Sequence, residues 1–463
     1  VPGGKTPAGM TSEADGLASP QRQWLTACIL LGVILVTLDS AIANIALPTI
    51  AGDFGTSEAA TVWVVNGYQL AVAVCLLPAA ACGEIFGVKP VYSVGLIVFM
   101  LASLLCALSP GLDLLIGARV IQGVGGACLA ALGPALIRTA VPRRMIGQAF
   151  ALIALAVAMS AAAGPTMSAL ILSVASWPWL FLINLPVCLV AVPLFLVVAP
   201  ASPRRPGAFD VTGAVLNVLA LGLVVVGVGS LGGRRLAPGL AEIAGGLAFA
   251  AVLVWQQRRQ ASPLLPLDLL RIPTLALSAV TSVCSYTAQI MAYVPLPFLF
   301  ETVMHRSTVA TGLLVTPWPL LVCVAAPVAG RLLMRFPAAV LSSAGLAVLA
   351  LGLLLLAVMP AAPADWDVAW RMGVCGVGFG FFQTPNNTIL MTAGPVARNA
   401  AASGLVAIAR TIGWSLGAAL VALIFAARGS SGTAMCLAVG AGFAAAGAGL
   451  SLARVATSDA KRF

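Results

Sequence analysis

The chain has 463 residues, of which 61% are apolar and only 8% are Asp, Glu, Lys or Arg. Soluble domains run near ~45–50% apolar and ~25% charged, so this composition excludes a water-soluble globule, and scattered Gly and Pro without a period exclude a collagen-like chain. The formal charge of +10 arises from Lys and Arg in short loops between apolar runs, the pattern that orients a membrane protein and not the basic face of a nucleic-acid binder.

A bilayer core of ~30 Å takes about 20 helical residues. On that measure the sequence predicts an all-α integral membrane protein with fourteen apolar spans. A polar, Pro- and Gly-rich segment, 1–23, reads as a disordered tail without a signal peptide. Spans at 24–51, 60–82, 89–109, 112–139, 145–174 and 177–199 make an N-terminal six-helix bundle, 24–199. Two more, at 210–231 and 238–256, lie in a linker, 200–272; the second is short and carries Glu242. Spans at 273–303, 308–335, 337–359, 365–392, 399–427 and 431–454 make a C-terminal bundle, 273–454, ahead of a tail, 455–463. The ten cysteines sit inside apolar runs without a CxxC pair, so they read as small hydrophobes and not as a disulfide or metal framework.

Fourteen spans put both termini on one side. That side collects most of the basic residues, among them Lys89, Arg138, Arg143, Arg144, Arg204, Arg205, Arg331, Arg335, Arg398 and Arg454, against Arg234, Arg235, Arg306, Arg371 and Arg428 opposite. Basic loops stay in the cytoplasm, so both termini are expected there. The two halves also resemble each other. Ala80–Lys89 between spans two and three parallels Gly330–Pro337 between spans ten and eleven, and Pro142-Arg143-Arg144 before span five parallels Gly394-Pro395 with Arg398 before span thirteen. Two parallel six-helix repeats holding a ligand at their interface are a transporter architecture.

Several local patterns carry a family resemblance. Span one has Leu38-Asp39-Ser40 leading to Asn44-Ile45-Ala46-Leu47-Pro48; the loop after span two has Glu84, Gly87 and Lys89, with Ala80, Ile85 and Pro90 at departures from the usual pattern. Span four has Arg119, Gln122, Gly123 and Gly125; span five has Ser160 through Gly164-Pro165, with Ser168 and Ala169 in place of trailing glycines; Trp177 to Pro186 follows. From Trp24 to Arg454 the chain thus resembles the major facilitator superfamily, in particular its fourteen-helix branch of drug:proton antiporters. The resemblance implies two pseudo-symmetric bundles plus two inserted helices. It also implies a proton-coupling role for Asp39, Arg119 and Gln122, and a conformational gate at Glu84, Gly87, Lys89, Gly164 and Pro165.

The residues themselves allow two readings of each feature. Asp39 lies about 22 Å into span one at ~1.5 Å per residue, where an unpaired ionised acid is costly. It is either a carboxyl that changes protonation during a cycle or a structural acid bonded to a neighbouring helix. Arg119 either neutralises it, directly or through Gln122, or caps carbonyls of a broken helix. Gly164-Pro165 bends span five and admits a close helix, as a leak-tight seam or as ordinary packing. Glu84 by itself reads as a solvated loop acid, while the resemblance implies a latch between the halves that faces a helix start, with span thirteen the natural candidate. In the C-terminal half, Tyr286, Gln289 and Tyr293, then Phe379, Phe382, Gln383 and Asn386, then Arg410 with Trp414, recur at helical spacing; with Trp318 they suggest an aromatic pocket with a few amides, or aromatics that merely pack. Glu301 and His305 read as interfacial groups, or as proton-release groups.

The expected function is proton-coupled export of hydrophobic or amphipathic drugs or antibiotics by alternating access, from a bacterial inner membrane. The partners are a small substrate, protons and lipid, with no nucleic acid; no cofactor is expected beyond the proton gradient, and a monomer is expected. A nutrient symporter or facilitator is the alternative. A single His, with no His-Glu-x-x-His and no Gly-x-Ser-x-Gly, gives no support to an intramembrane enzyme, and the lack of charged rings argues against a channel.

Overall fold

The computed structural model describes residues 16–142, 145–202, 209–231, 236–260, 267–360, 362–393 and 399–459. Arg143, Arg144, Arg204, Arg205, Arg234, Arg235 and Arg398, which enter the orientation argument, lie outside these residues.

The described residues form long helices: α1 (Ser19–Phe54), α2 (Trp63–Phe86), α3 (Val88–Ala107), α4 (Leu112–Ala140), α5 (Ile146–Val174), α6 (Asn184–Val198), α7 (Val211–Ser230), α8 (Leu236–Gln257), α9 (Pro273–Tyr293), α10 (Pro317–Leu332), α11 (Ala338–Ala357), α12 (Asp365–Thr392), α13 (Asn399–Arg428) and α14 (Thr433–Asp459). Short turns extend some of them: Pro295–Phe298 and a π-turn, Leu299–Val303, continue α9, and Thr308–Val315 leads into α10. Helix α1 starts at Ser19, with Pro20 in its first turn, so the expected tail is shorter than 1–23: a proline at that position loses no helical hydrogen bond and starts the helix early. Likewise α14 runs on past Arg454 to Asp459.

Twelve stretches among the described residues are long and apolar enough to cross a membrane. They differ from the fourteen expected in two places. The last, Gly404–Arg454, takes in both α13 and α14, because only a 3-10 turn, Gly429–Gly432, separates them. Helix α12 is not among them, since Asp365, Asp367 and Arg371 at one end and Gln383, Asn386 and Asn387 further along lower its hydropathy.

Helix pairings repeat with an offset of eight. In the first half α2 packs on α4, α3 on α4, α3 on α6, α1 on α5 and α1 on α6; in the second α10 packs on α12, α11 on α12, α11 on α14, α9 on α13 and α9 on α14. Helices α7 and α8 pack on each other, and α7 reaches both α2 and α13. The halves meet along α2–α13 and along α5 with Thr308–Val315 and α10. One apolar cluster draws on both halves, with Ile42, Leu47, Ile50 and Val62 against Met291, Val294, Phe298, Val421 and Phe425. It lies beyond Asp39 along α1, so the halves are joined at the end distal to the chain termini.

That joint is tight. A Cβ on Gly312 would fall 2.5 Å from the Ala169 Cβ and 2.6 Å from the Pro165 carbonyl oxygen, so α5 crosses the lead-in to α10 almost backbone to backbone. Thr166 and Thr316 hydroxyls share a hydrogen bond of 2.8 Å across the same crossing. On its other side α5 presses Gly164 onto Ala41 of α1, and the Ser168 hydroxyl donates to the Ile42 carbonyl at 3.1 Å.

Candidate functional site

Helix α4 turns Arg119, Gln122 and Gly126 to one side at i, i+3 and i+7, and its glycines let it come close enough to use them. A Cβ on Gly123 would lie 2.6 Å from the Tyr68 carbonyl oxygen, and one on Gly125 would lie 2.7 Å from the Phe99 amide nitrogen. Across from this face stands Asp39 on α1, only 2% exposed. Arg119 Nη1 donates to Asp39 Oδ2 at 2.5 Å, while Gln122 Nε2 and Asn184 Nδ2 each donate to Asp39 Oδ1 at 2.9 Å. Arg119 Nη1 also donates to Gln122 Oε1 at 2.6 Å, and its Nε to the Val64 carbonyl at 3.1 Å. Its guanidinium lies 4.3 Å from the Tyr68 ring centroid and 5.5 Å from that of Phe181. Ser103 completes the network, accepting from Gln122 Nε2 at 2.8 Å.

Both carboxylate oxygens are therefore engaged, the charge is neutralised within the network, and the pair is sealed from solvent. A buried pair of this kind stores a specific sensitivity: removing the charge of either partner strands the other. Asp39, Arg119 and Gln122 are thus in one cluster, as their spacing suggested. Asn184 and Ser103 had been given no role from sequence. The signal for both is a polar side chain inside an otherwise apolar span, and Asn184 also lies in the Trp177–Pro186 stretch that carries the family resemblance.

The gate residues separate into two places. Gly164 and Pro165 form the distal crossing already described. Gly87, with φ +97, makes the left-handed turn between α2 and α3 that a side chain would strain. Beyond it Lys89 is tied within its own half: its amide donates to Ser202 Oγ at 2.9 Å and its ammonium to the Ala199 carbonyl at 2.6 Å, past the end of α6. A cation at a helix C-terminus meets unpaired carbonyls and the negative end of the dipole, which explains the preference. Glu84 is exposed and makes no ion pair among the described residues. Its expected partner, the region leading into span thirteen, includes 394–398, outside the described residues.

In the C-terminal half the expected pocket divides. Trp318, Phe379, Phe382 and Tyr286 are all buried in the core of the bundle. Asn386 belongs elsewhere: its amide donates to Ser282 Oγ at 2.7 Å and to the Ser278 carbonyl at 3.3 Å, and its Oδ1 accepts from Arg454 Nη1 at 2.7 Å. Arg454, counted with the loop cations, is in fact 1% exposed and also donates to Ser278 Oγ and Ser451 Oγ. The reason is that α14 continues past it, so the residue stands inside a helix packed on α9 and α11. The rest stay together. Tyr286 meets Phe379, Phe382 and Trp414 edge to face, at 5.5, 6.4 and 5.8 Å between ring centroids. Gln383 Nε2 donates to the Tyr286 hydroxyl at 3.3 Å, Trp414 Nε1 donates to Gln289 Oε1 at 3.0 Å, and Tyr293 packs on Trp318 at 5.0 Å. Gln289, Tyr293, Gln383, Arg410 and Trp414 are half-buried, so this cluster has an open side.

No group of three or more His, Cys, Asp or Glu that could hold a metal occurs among the described residues. All ten cysteines are free.

Two helical halves joined at one end, with a charge network sealed in one and an aromatic–amide cluster half-open in the other, define a multi-pass membrane transporter. The family assignment agrees: the Major Facilitator Superfamily profile matches residues 29–418, and the chain belongs to that family. It is 47% identical over 427 residues to the uncharacterized transporter YebQ of Escherichia coli, covering 91% of this chain and 93% of YebQ. It is 31% identical to the multidrug resistance protein Stp of Mycobacterium tuberculosis, over 86% of this chain and 74% of Stp. It is also 27% identical to the riboflavin transporter RibZ of Clostridioides difficile, over 88% of this chain and 89% of RibZ. The fold matches a crystal structure of the peptide transporter POT in complex with sulfate, with a TM-score of 0.71 at 12% identity, covering 93% of this chain and 94% of that one.

Proposed function

We propose that this protein is a proton-coupled exporter of hydrophobic or amphipathic drugs or antibiotics, working by alternating access in a bacterial inner membrane. The chain crosses fourteen times as a monomer, with both termini in the cytoplasm, and uses the proton gradient without a cofactor. The observation that carries the reading is the sealed Asp39–Arg119 pair with Gln122 and Asn184. A proton arriving at Asp39 removes the negative charge and frees the guanidinium of Arg119. The network ties α1 to α4 and α6, so its loosening changes how those helices hold one another, and a two-state element is biased by one proton. The likeness to Stp supports drugs as the substrate class.

The deciding experiment is drug susceptibility of efflux-deficient cells producing the protein or its Asp39→Asn form. The expected outcome is protection by the parent and little or none by the variant at equal protein level. Equal protection against every exported compound would refute coupling at Asp39. The likeness to RibZ favours a second reading, a symporter or facilitator for a metabolite. Proteoliposome flux separates the two: an exchanger speeds up when the pH gradient opposes the substrate flow, a symporter when it runs with it, and a facilitator ignores it.

A further inference from the structure

Arg410 stands within α13, about 17 Å from its start at ~1.5 Å per residue, and it is treated in the opposite way to Arg119. Among the described residues it has no carboxylate within ion-pair distance and donates no hydrogen bond, and its enclosed Nε has no acceptor. Its neighbour is the Trp414 ring, 5.3 Å from the guanidinium carbon. Its helix, α13, packs on α9 of its own half and on α2 of the other, so it runs along the seam between the bundles. A cation held at this depth without a counter-charge is costly, so such residues mark substrate and ion paths.

We propose that the ligand carried between the bundles is a planar aromatic molecule bearing a carboxylate or similar anionic group, and that Arg410 selects for that charge. This rests on the reading of the protein as a transporter of amphipathic compounds and narrows it. Charge accounting favours an anion over a cation. Asp39 has both its oxygens taken by Arg119, Gln122 and Asn184, so a cationic ligand beside Arg410 would meet an uncompensated guanidinium with no carboxylate in ion-pair reach of it among the described residues. The surroundings of Arg410 suit the rest of such a molecule. Trp414 offers a half-exposed ring, Gln289 keeps its amide N–H groups unbonded, and Gln383 keeps its carbonyl oxygen unbonded among the described residues. An anion on the guanidinium would make the charge-assisted, forked contact that the side chain now lacks.

The test is equilibrium binding to the purified full chain in lipid nanodiscs, with no gradient, so that it does not depend on coupling at Asp39. Three probes share one ring system: anthraquinone-2-carboxylate, its neutral carboxamide, and 2-(aminomethyl)anthraquinone as the cation. Calorimetry, with empty nanodiscs subtracted, is expected to show the carboxylate binding at least about tenfold tighter than the carboxamide, and the cation weakest. In Arg410→Gln the preference for the carboxylate should shrink to within about twofold while the carboxamide still binds, which also reports an intact fold; Arg410→Lys should keep part of it. Equal binding of carboxylate and carboxamide, tighter binding of the cation, or an unchanged preference in Arg410→Gln would overturn the proposal. So would the failure of all three probes to bind. Loss of drug protection in Asp39→Asn with this charge preference intact would leave the substrate assignment standing by itself.

Discussion

The two halves share a pattern of helix pairings and treat their buried polar groups differently. In the N-terminal bundle every oxygen of Asp39 has a donor and Arg119 is stacked, bonded and enclosed. In the C-terminal bundle the polar groups divide into a closed set around Arg454 and Asn386 and an open one around Arg410, Gln289, Gln383 and Trp414. One scaffold thus supports a sealed site in one copy and an incomplete one in the other. Arg119 Nη2 and Arg410 Nε both lack a partner, so the difference between the halves is one of counter-charge: Arg119 faces a carboxylate and Arg410 faces none among the described residues.

Substitutions can break or sharpen this contrast. The largest effect is expected at the sealed site. Arg119→Leu leaves Asp39 buried and charged, and should cost about 3–5 kcal/mol of stability, read as a steep loss of thermal midpoint in detergent; adding Asp39→Asn should restore much of it, because the stranded charge is then gone. Failure of the second change to rescue the first would mean that the two residues do not act as a pair. An intermediate effect is expected at the closed set of the other half. Asn386→Leu leaves Arg454 and Ser282 short of a partner, for about 1–3 kcal/mol, with ligand affinity unchanged. A change in affinity would return Asn386 to the binding site. The smallest is expected at the open cluster, where Trp414→Phe removes one hydrogen bond to Gln289 in half-exposed surroundings and should cost no more than about 0.5–1.5 kcal/mol, while weakening aromatic ligands. If stability fell there as far as for Arg119→Leu, the cluster would be part of the core.

Much of this was legible in the residues. Asp39, Arg119 and Gln122 stood out because charge and amide groups within apolar spans must find each other. Asn184 and Ser103 were not assigned, since one polar residue in a span says that a partner exists without naming it. Arg454 was given a side of the membrane but no partners, because an arginine near the end of an apolar run looks the same whether the helix stops there or continues, and α14 continues. Asn386 followed it, since helical spacing sets it on a stripe with Phe379, Phe382 and Gln383 without telling which depth of that stripe faces the other half. Trp318 is fully buried for a related reason: prolines on both sides signal a broken helix, yet the break turns the ring into the core. The span count departed where hydropathy is least informative, at the amide-rich α12 and the short link between α13 and α14.

The contact of Gly312 with Pro165 has a mechanical corollary. Where two main chains touch, no rotamer can swing aside to accommodate sliding, so the local separation cannot shrink. Rocking that parts the lobes at the end nearer the termini can roll about this line, whereas opening at the distal face has to separate the two main chains and break the Thr166–Thr316 hydrogen bond. A branched side chain there would act as a wedge, shifting the resting tilt of the whole molecule from a single methyl-sized intrusion.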